Sequence, residues 1–139
     1  MVTIRKVDES DYESFFQLIR QFRETSFSFE QFVEILKQIR LWGEIWVLLN
    51  TDGQLVATGT IYYEQKFIFN CAKLAHIEDV CVNVAERRKG YGKQLVLFLK
   101  EEAQRNGCYK VTLDCTDSNI AFYESCGFEK RGNQMSTLV

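Results

Sequence analysis

Ile77-Glu78-Asp79-Val80-Cys81-Val82, followed after four residues by Arg87-Arg88-Lys89-Gly90-Tyr91-Gly92-Lys93, is the stretch on which the fold turns. The first run is apolar and β-branched and reads as part of a buried strand over residues 75–84. The second opens a helix over residues 90–106, with Leu95, Phe98, Leu99 and Ala103 at helical period, ended by Asn106-Gly107. Glycines at a strand-to-helix junction let the backbone bend tightly and bring its N–H groups close to a ligand. The helix adds its positive dipole end, and Arg87, Arg88, Lys89 and Lys93 crowd the same point with charge. The unit is built to hold a pyrophosphate.

Two nucleotide motifs fail here. A dinucleotide fingerprint needs a third glycine where this chain has Leu95, and a P-loop needs Ser or Thr where it has Gln94. What remains is Arg87-x-x-Gly90-x-Gly92.

Outward from this unit, residues 2–7 read as a first strand. Ser10-Asp11-Tyr12-Glu13 has capping-box spacing, and Tyr12, Phe15, Phe16, Ile19 and Phe22 then recur at helical period. Ser28 and Gln31 offer a second box ahead of Phe29, Phe32, Val33, Leu36 and Ile39. Residues 45–49 and 54–63 are strands joined by the turn Asn50-Thr51-Asp52-Gly53. Residues 67–71 fit either a strand extension or a loop. Residues 110–115 form a strand, Asp117 or Ser118 caps a short helix stopped by Gly127, and residues 134–139 are the expected last strand. The order β-α-α-β-β-β-α-β-α-β puts helices on both faces of a mixed sheet, an α/β (α+β) architecture.

At 139 residues the chain is read as one domain, 1–139, able to bury roughly 68–70% of its unfolded surface. A hydrophobic share of 46% with no low-complexity tract excludes disorder. A formal net charge of −2 makes no general field for nucleic acid or an anionic membrane, so neither partner is expected. No apolar stretch approaches a membrane span and the first residues lack a signal-peptide pattern, so the expected compartment is cytoplasmic. Five cysteines (Cys71, Cys81, Cys108, Cys115, Cys126) form no C-x-x-C pair, and the chain has a single histidine, His76. No metal site is expected from that set. The thiols read as small apolar residues, and His76 as structural.

Arg87-x-x-Gly90-x-Gly92 after the strand Ile77-Glu78-Asp79-Val80-Cys81-Val82 resembles the acetyl-CoA-binding motif of the GCN5-related N-acetyltransferases (GNAT). Ile77-Glu78-Asp79-Val80, Gly107-Cys108-Tyr109-Lys110, Leu113-Asp114-Cys115 and Asn119-x-x-Phe122-Tyr123-x-x-Cys126-Gly127-Phe128 narrow the resemblance to the glucosamine 6-phosphate N-acetyltransferases. Lys66-Phe67-Ile68 and Cys71-Ala72-Lys73 match as well, so the resemblance spans essentially the whole chain.

The resemblance implies a GNAT fold, acetyl-CoA as co-substrate without a metal, and acetyl transfer to the 2-amino group of glucosamine 6-phosphate, feeding UDP-N-acetylglucosamine synthesis. It implies direct attack in a ternary complex and a homodimer whose subunits share active sites. Val80, Cys81 and Val82 would bind the pantetheine arm and acetyl carbonyl through a splayed backbone, and Arg87, Arg88, Lys89, Gly90, Tyr91, Gly92 and Lys93 would cradle the pyrophosphate. Asn119 would lie along the pantetheine, with the Tyr123 hydroxyl at the sulfur. A tyrosine near pKa 10 stays protonated at neutral pH and can serve a leaving thiolate. Asp114 is expected to orient the amine and Glu78 to act as base through water, both at strand ends where an unpaired buried carboxylate would be costly. Arg23, Lys66, Phe67, Ile68, Asp79, Val80, Tyr109 and Lys110 complete the expected acceptor site, although Glu78 and Asp79 also fit pairing with a Lys or Arg at a dimer seam. Cys115 would lie near the cofactor sulfur, either packing there or forming a mixed disulfide with free coenzyme A.

Three positions depart from the family pattern. Arg23 stands where a threonine is usual, Phe69 where a histidine is, and Leu138 where an arginine of the sugar-phosphate clamp is. Arg23, assisted by Lys66, Lys73 or Lys110 from one or both subunits, is the expected replacement. Two other functions fit the same motifs: acetylation of a different amine, and a silent coenzyme A-binding module.

Overall fold

The chain lays its strands side by side in sequence order, and that simplicity decides where the site can be. The computed structural model describes residues 1–139. Its elements are β1 (Thr3–Lys6), α1 (Tyr12–Phe22), α2 (Phe29–Ile39), β2 (Gly43–Leu49), β3 (Leu55–Gln65), a helical turn α3 (Ile68–Cys71), β4 (Lys73–Val82), α4 (Tyr91–Arg105), β5 (Cys108–Leu113) and α5 (Ile120–Ser125). One sheet of order β1-β2-β3-β4-β5 results. Its first four strands pair antiparallel, and β5 pairs parallel to β4 because α4 carries the chain back across the sheet.

Both faces of the sheet are covered, so the central strands read as apolar runs. On one face Leu48, Val56, Ala57, Ile61, Ala75 and Ile77 pack with Leu95, Leu99 and Ala103 of α4. On the other, Ile45 and Val47 meet Phe15 of α1 and Phe32 and Leu36 of α2. Leu18 is also buried, while Tyr12, Phe16, Phe27 and Phe29 form an aromatic rim in which the Tyr12 hydroxyl donates to Phe27 O (2.6 Å).

The α2 cap is the expected one: Ser28 Oγ accepts from the Gln31 N–H (3.1 Å) and Gln31 Oε1 from the Ser28 N–H (2.8 Å). The first box lies upstream of the expected position. Asp8 accepts from the Ser10 N–H, and Asp11 from the Asp8 N–H (2.7 Å) and from Arg5 (2.7 and 3.0 Å). Two carboxylates beside an arginine outcompete a serine hydroxyl for the orphan donors of the helix start.

The fold agrees with the sequence reading as far as α5. The expected strand over residues 134–139 does not form, and Met135, Leu138 and Val139 stand fully in solvent. Apolar residues at 135, 138 and 139 make no period-two face, so pairing would bury little. The ambiguous segment at 67–71 is a tight turn. Phe69, Asn70 and Cys71 take left-handed φ values of 54°, 58° and 59°, a strain of roughly 1–2 kcal/mol per residue. Gln65 Nε2 holds this turn by donating to the carbonyls of Lys66, Cys71 and Ala72 (3.0, 2.9 and 3.2 Å).

Candidate active site

Strand β4 has two halves with different neighbours. From Lys73 to Ile77 it is paired on both sides; the pairing with β5 ends at Ile77–Leu113. Glu78 to Val82 therefore carries backbone N–H and C=O groups that face the β5 side without a strand partner. A bulge sits at the same place: Asp79 and Val80 together oppose Gly59, and Asp79 takes φ 53°. The extra residue bends β4 where its pairing with β5 ends, and the open edge beyond that point, with its polar backbone groups, is the cleft. Val80 and Val82 turn inward to the α4 core, while Cys81 is buried and its thiol is pushed up to about 12 by that burial. It is inert as a nucleophile at neutral pH.

The basic turn follows directly. Arg88 (φ 66°) and Gly90 (φ 83°) are both left-handed, so successive N–H groups curl toward one point at the start of α4. Gly92 serves a different purpose: a Cβ there would lie 3.3 Å from the Val82 side chain and 3.4 Å from the Phe122 ring, so its bare backbone lets α4, β4 and α5 approach closely. Lys89 is held by Glu86 (2.6 Å), whereas Arg87, Arg88 and Lys93 enter no ion pair. Three unpaired cations, a nest of N–H groups and a helix start match a pyrophosphate.

On the far wall, α5 presents Tyr123 between Phe122 (4.9 Å) and Phe128 (6.0 Å), both edge-on. Burial, with smaller effects from Cys115, Cys126 and Glu78 nearby, pushes its phenol up to about 12. Its hydroxyl makes no hydrogen bond within the chain, and neither does the side chain of Asn119, whose backbone N–H caps onto Thr116 O (2.9 Å). Glu78 and Asp114 flank the cleft with His76 between them. His76 Nε2 lies 2.8 Å from Glu78 Oε1 and 3.9 Å from Asp114 Oδ2; Asp114 also accepts from Gln134 (3.2 Å). The sequence argument from buried carboxylates does not hold here, because both side chains are 43% exposed. Their reason for being there is not desolvation. His76 was read from sequence as structural, and its other partner, Thr112, was not singled out. Strand alternation, which puts 76 and 78 on one face, is the signal that would have found the histidine.

The acceptor residues divide. Arg23 ends α1 with its guanidinium 4.6 Å over the Phe22 ring and close enough to Asp79 to oppose the rise that burial and Glu78 impose on that carboxyl. Asp79 is exposed to solvent on one side while its other side closes an apolar cavity of about 170 Å³ between α1, α2 and the sheet. Phe15, Ile19, Phe27 and Leu36 line that cavity and no cation does, so it does not suit a phosphate. Lys66, Phe67, Ile68, Tyr109 and Lys110 lie at the opposite end of the sheet. Five residue steps of extended strand lead from Lys73 to Glu78, about 17 Å. Within one chain the structure does not bring them to the cleft.

The family model for the acetyltransferase (GNAT) family matches residues 10–128. The chain is 41% identical over 139 residues to the glucosamine 6-phosphate N-acetyltransferase of Arabidopsis thaliana, covering 96% of this chain and 93% of that protein. It is 36% identical over 143 residues to glucosamine 6-phosphate N-acetyltransferase 1 of Dictyostelium discoideum, covering 99% and 91%. The crystal structure of the Arabidopsis thaliana enzyme superposes with a TM-score of 0.92 at 40% identity, covering 99% of this chain and 98% of that one. On the length matched and on these identities, the chain belongs to the acetyltransferase (GNAT) family.

Proposed function

We propose that this chain transfers acetyl from acetyl-CoA to the 2-amino group of glucosamine 6-phosphate, giving N-acetylglucosamine 6-phosphate and coenzyme A. The observation that carries the donor half is the cleft where β4 leaves β5 beside a left-handed, glycine-bearing turn. The acceptor half rests on relatives named for this activity along nearly the whole chain. Residues 1–139 act as one domain, since both cores share a single sheet.

Acetyl-CoA supplies a thioester carbonyl and a thiolate leaving group. Arg87, Arg88, Lys93 and the N–H groups of Gly90 to Gly92 hold the pyrophosphate, and the open edge of Val80 to Val82 takes the pantetheine arm. A backbone N–H on that edge stabilises the oxyanion; one such donor is typically worth ~10²–10³ in rate. Asp114 accepts a hydrogen bond from the acceptor. Glu78 takes the proton that the amine loses as its nitrogen bonds to the acetyl carbon. Tyr123 donates to the departing sulfur. With its phenol near 12 it is a far weaker acid than a thiol, so it stabilises the thiolate chiefly by a hydrogen bond.

A homodimer resolves the separation of the acceptor residues. The end of the sheet that carries Lys66 also exposes Trp42 (69%), Phe67 (93%) and Phe69 (67%), an apolar patch that a second copy would cover. In that arrangement Lys66, Phe67, Ile68, Tyr109 and Lys110 serve the partner's cleft, and Arg23 takes the phosphate in place of the family's terminal arginine. All five cysteines are free, which fits a reducing compartment such as the cytoplasm, and no helix is long and apolar enough to cross a membrane.

A thiol-release assay with glucosamine 6-phosphate, glucosamine and a lysine peptide tests this. Release with the phosphorylated sugar alone is expected, and Arg23→Ala should raise its KM about tenfold while leaving that for acetyl-CoA unchanged. Turnover of another amine in preference would favour the second reading, for which the exposed Leu138 is the observation. Binding of coenzyme A without turnover would mean a silent module.

A further inference from the structure

His76 is the one histidine of the chain and sits at the acidic wall of the cleft. Strand alternation places it on the same face of β4 as Glu78, and the parallel register sets Thr112 of β5 directly opposite it. Its Nδ1 lies 2.8 Å from Thr112 Oγ1 and its Nε2 lies 2.8 Å from Glu78 Oε1. An ionised carboxylate only accepts, so Nε2 must carry the hydrogen. In a neutral ring Nδ1 is then an acceptor, and the Thr112 hydroxyl must donate to it. Each atom in the row has one consistent role, and the carboxylate is held at the point where pairing between β4 and β5 ends.

We propose that His76 is a positioning residue for the reaction: its Nε2–H holds the Glu78 carboxylate toward the amine, and Thr112 sets the tautomer that makes this possible. A carboxylate that is 43% exposed on a strand edge would otherwise sample several rotamers. The hydrogen bond to His76 selects one and leaves the second oxygen free to receive the amine proton, directly or through one water. Because a hydroxyl both donates and accepts, Thr112 can turn about and follow if a proton is briefly shared into the ring. Asp114, 3.9 Å from the same Nε2, is too far for a hydrogen bond and remains available to the acceptor. The proposal rests on the reading of Glu78 as base in the function above.

The experiment has two arms. With one histidine in the chain, ¹⁵N spectra of the intact labelled enzyme report its ring alone. Under conditions in which the two ring nitrogen shifts themselves report a neutral imidazole, the Nε2–H tautomer is expected, and Thr112→Val should convert it to a mixture. A predominantly Nδ1–H ring in the wild type overturns the proposal without reference to any acceptor. In the kinetic arm His76→Ala should lower kcat about 10- to 100-fold with an unchanged KM for acetyl-CoA. His76→Gln, which keeps a donor near the Nε2 position, should recover at least half of that loss on a logarithmic scale. In a Glu78→Gln background His76→Ala should cost little more, since its partner is already gone. An equal cost in both backgrounds, or no recovery with glutamine, overturns the proposal. If the wild type turns over a different amine instead of glucosamine 6-phosphate, the acceptor reading fails while both arms still run with that amine.

Discussion

The two ends of β4 are made by different means. At its C-terminal end, Glu78 to Val82, local backbone rules build the site: a bulge with Asp79 left-handed, a lost β5 partner, two left-handed residues in the basic turn and a bare Gly92. At its N-terminal end, Lys73 and the turn before it, the backbone is just as strained, but the exposed side chains Phe67, Ile68 and Phe69 face solvent. One end is complete within a chain. The other holds acceptor candidates about 17 Å from the cleft, and in the proposed dimer it would serve the cleft of a second copy. The contrast separates donor recognition, proposed as a property of one chain, from acceptor recognition, proposed as a property of two.

The strongest way to break this comparison is to disable the complete end. Tyr123→Phe should lower kcat on the order of 10²-fold with little change in either KM, measured by steady-state thiol release. Because the phenol lies near 12, wild-type activity lost on raising the pH toward 10 must come from another group, and Tyr123→Phe should leave that alkaline limb where it was. Disabling the incomplete end sharpens the comparison. Lys66→Ala should also be poorly active, yet a refolded equimolar mixture of Lys66→Ala and Tyr123→Phe chains should recover about one quarter of wild-type activity. Half of the dimers would be mixed, and each mixed dimer would hold one intact shared site. Recovery absent at every ratio, with a dimer verified in solution, would place both ends in the same chain.

The smallest effect is expected away from both ends. Hydrogen bonds from Arg5 hold the Asp11 carboxyl below the ordinary carboxylate range. A depressed carboxyl contributes stability above its unfolded value, and that contribution is lost as pH falls through about 4 and below. Asp11→Asn should therefore lower stability by about 1–2 kcal/mol at neutral pH, and by progressively less as pH falls below the ordinary carboxylate value, in urea unfolding. Its kcat should match the wild type.

Much of this site was legible because it is written in backbone chemistry. Gly90 and Gly92 announce a tight, approachable turn, and the structure assigns them separate tasks, φ at one and clearance at the other. The Ser28–Gln31 cap was equally plain, since a local hydrogen bond depends only on spacing. The first box was misplaced because Asp8 and Asp11 take the donors of the turn that leads into α1, with Asp11 held there by Arg5 of β1. The strand expected at 134–139 failed for want of a face to bury. His76 and Thr112 were invisible as a pair: 36 residues separate them, and only the parallel register brings them to 2.8 Å.

By itself the sequence determined the element order as far as α5, the mixed sheet and the glycine-bearing basic turn, because periodicity and short spacings govern local backbone choices, whereas Glu78, Asp114 and Tyr123 stood out through the family resemblance. The tertiary structure alone decided that β4 parts from β5 after Ile77, that Tyr123 is buried enough to keep its proton to about 12, and that Lys66 stands far from the cleft. Those outcomes depend on strand register and on what each side chain finally packs against. Contacts between distant parts of the chain set both, and no local pattern encodes them.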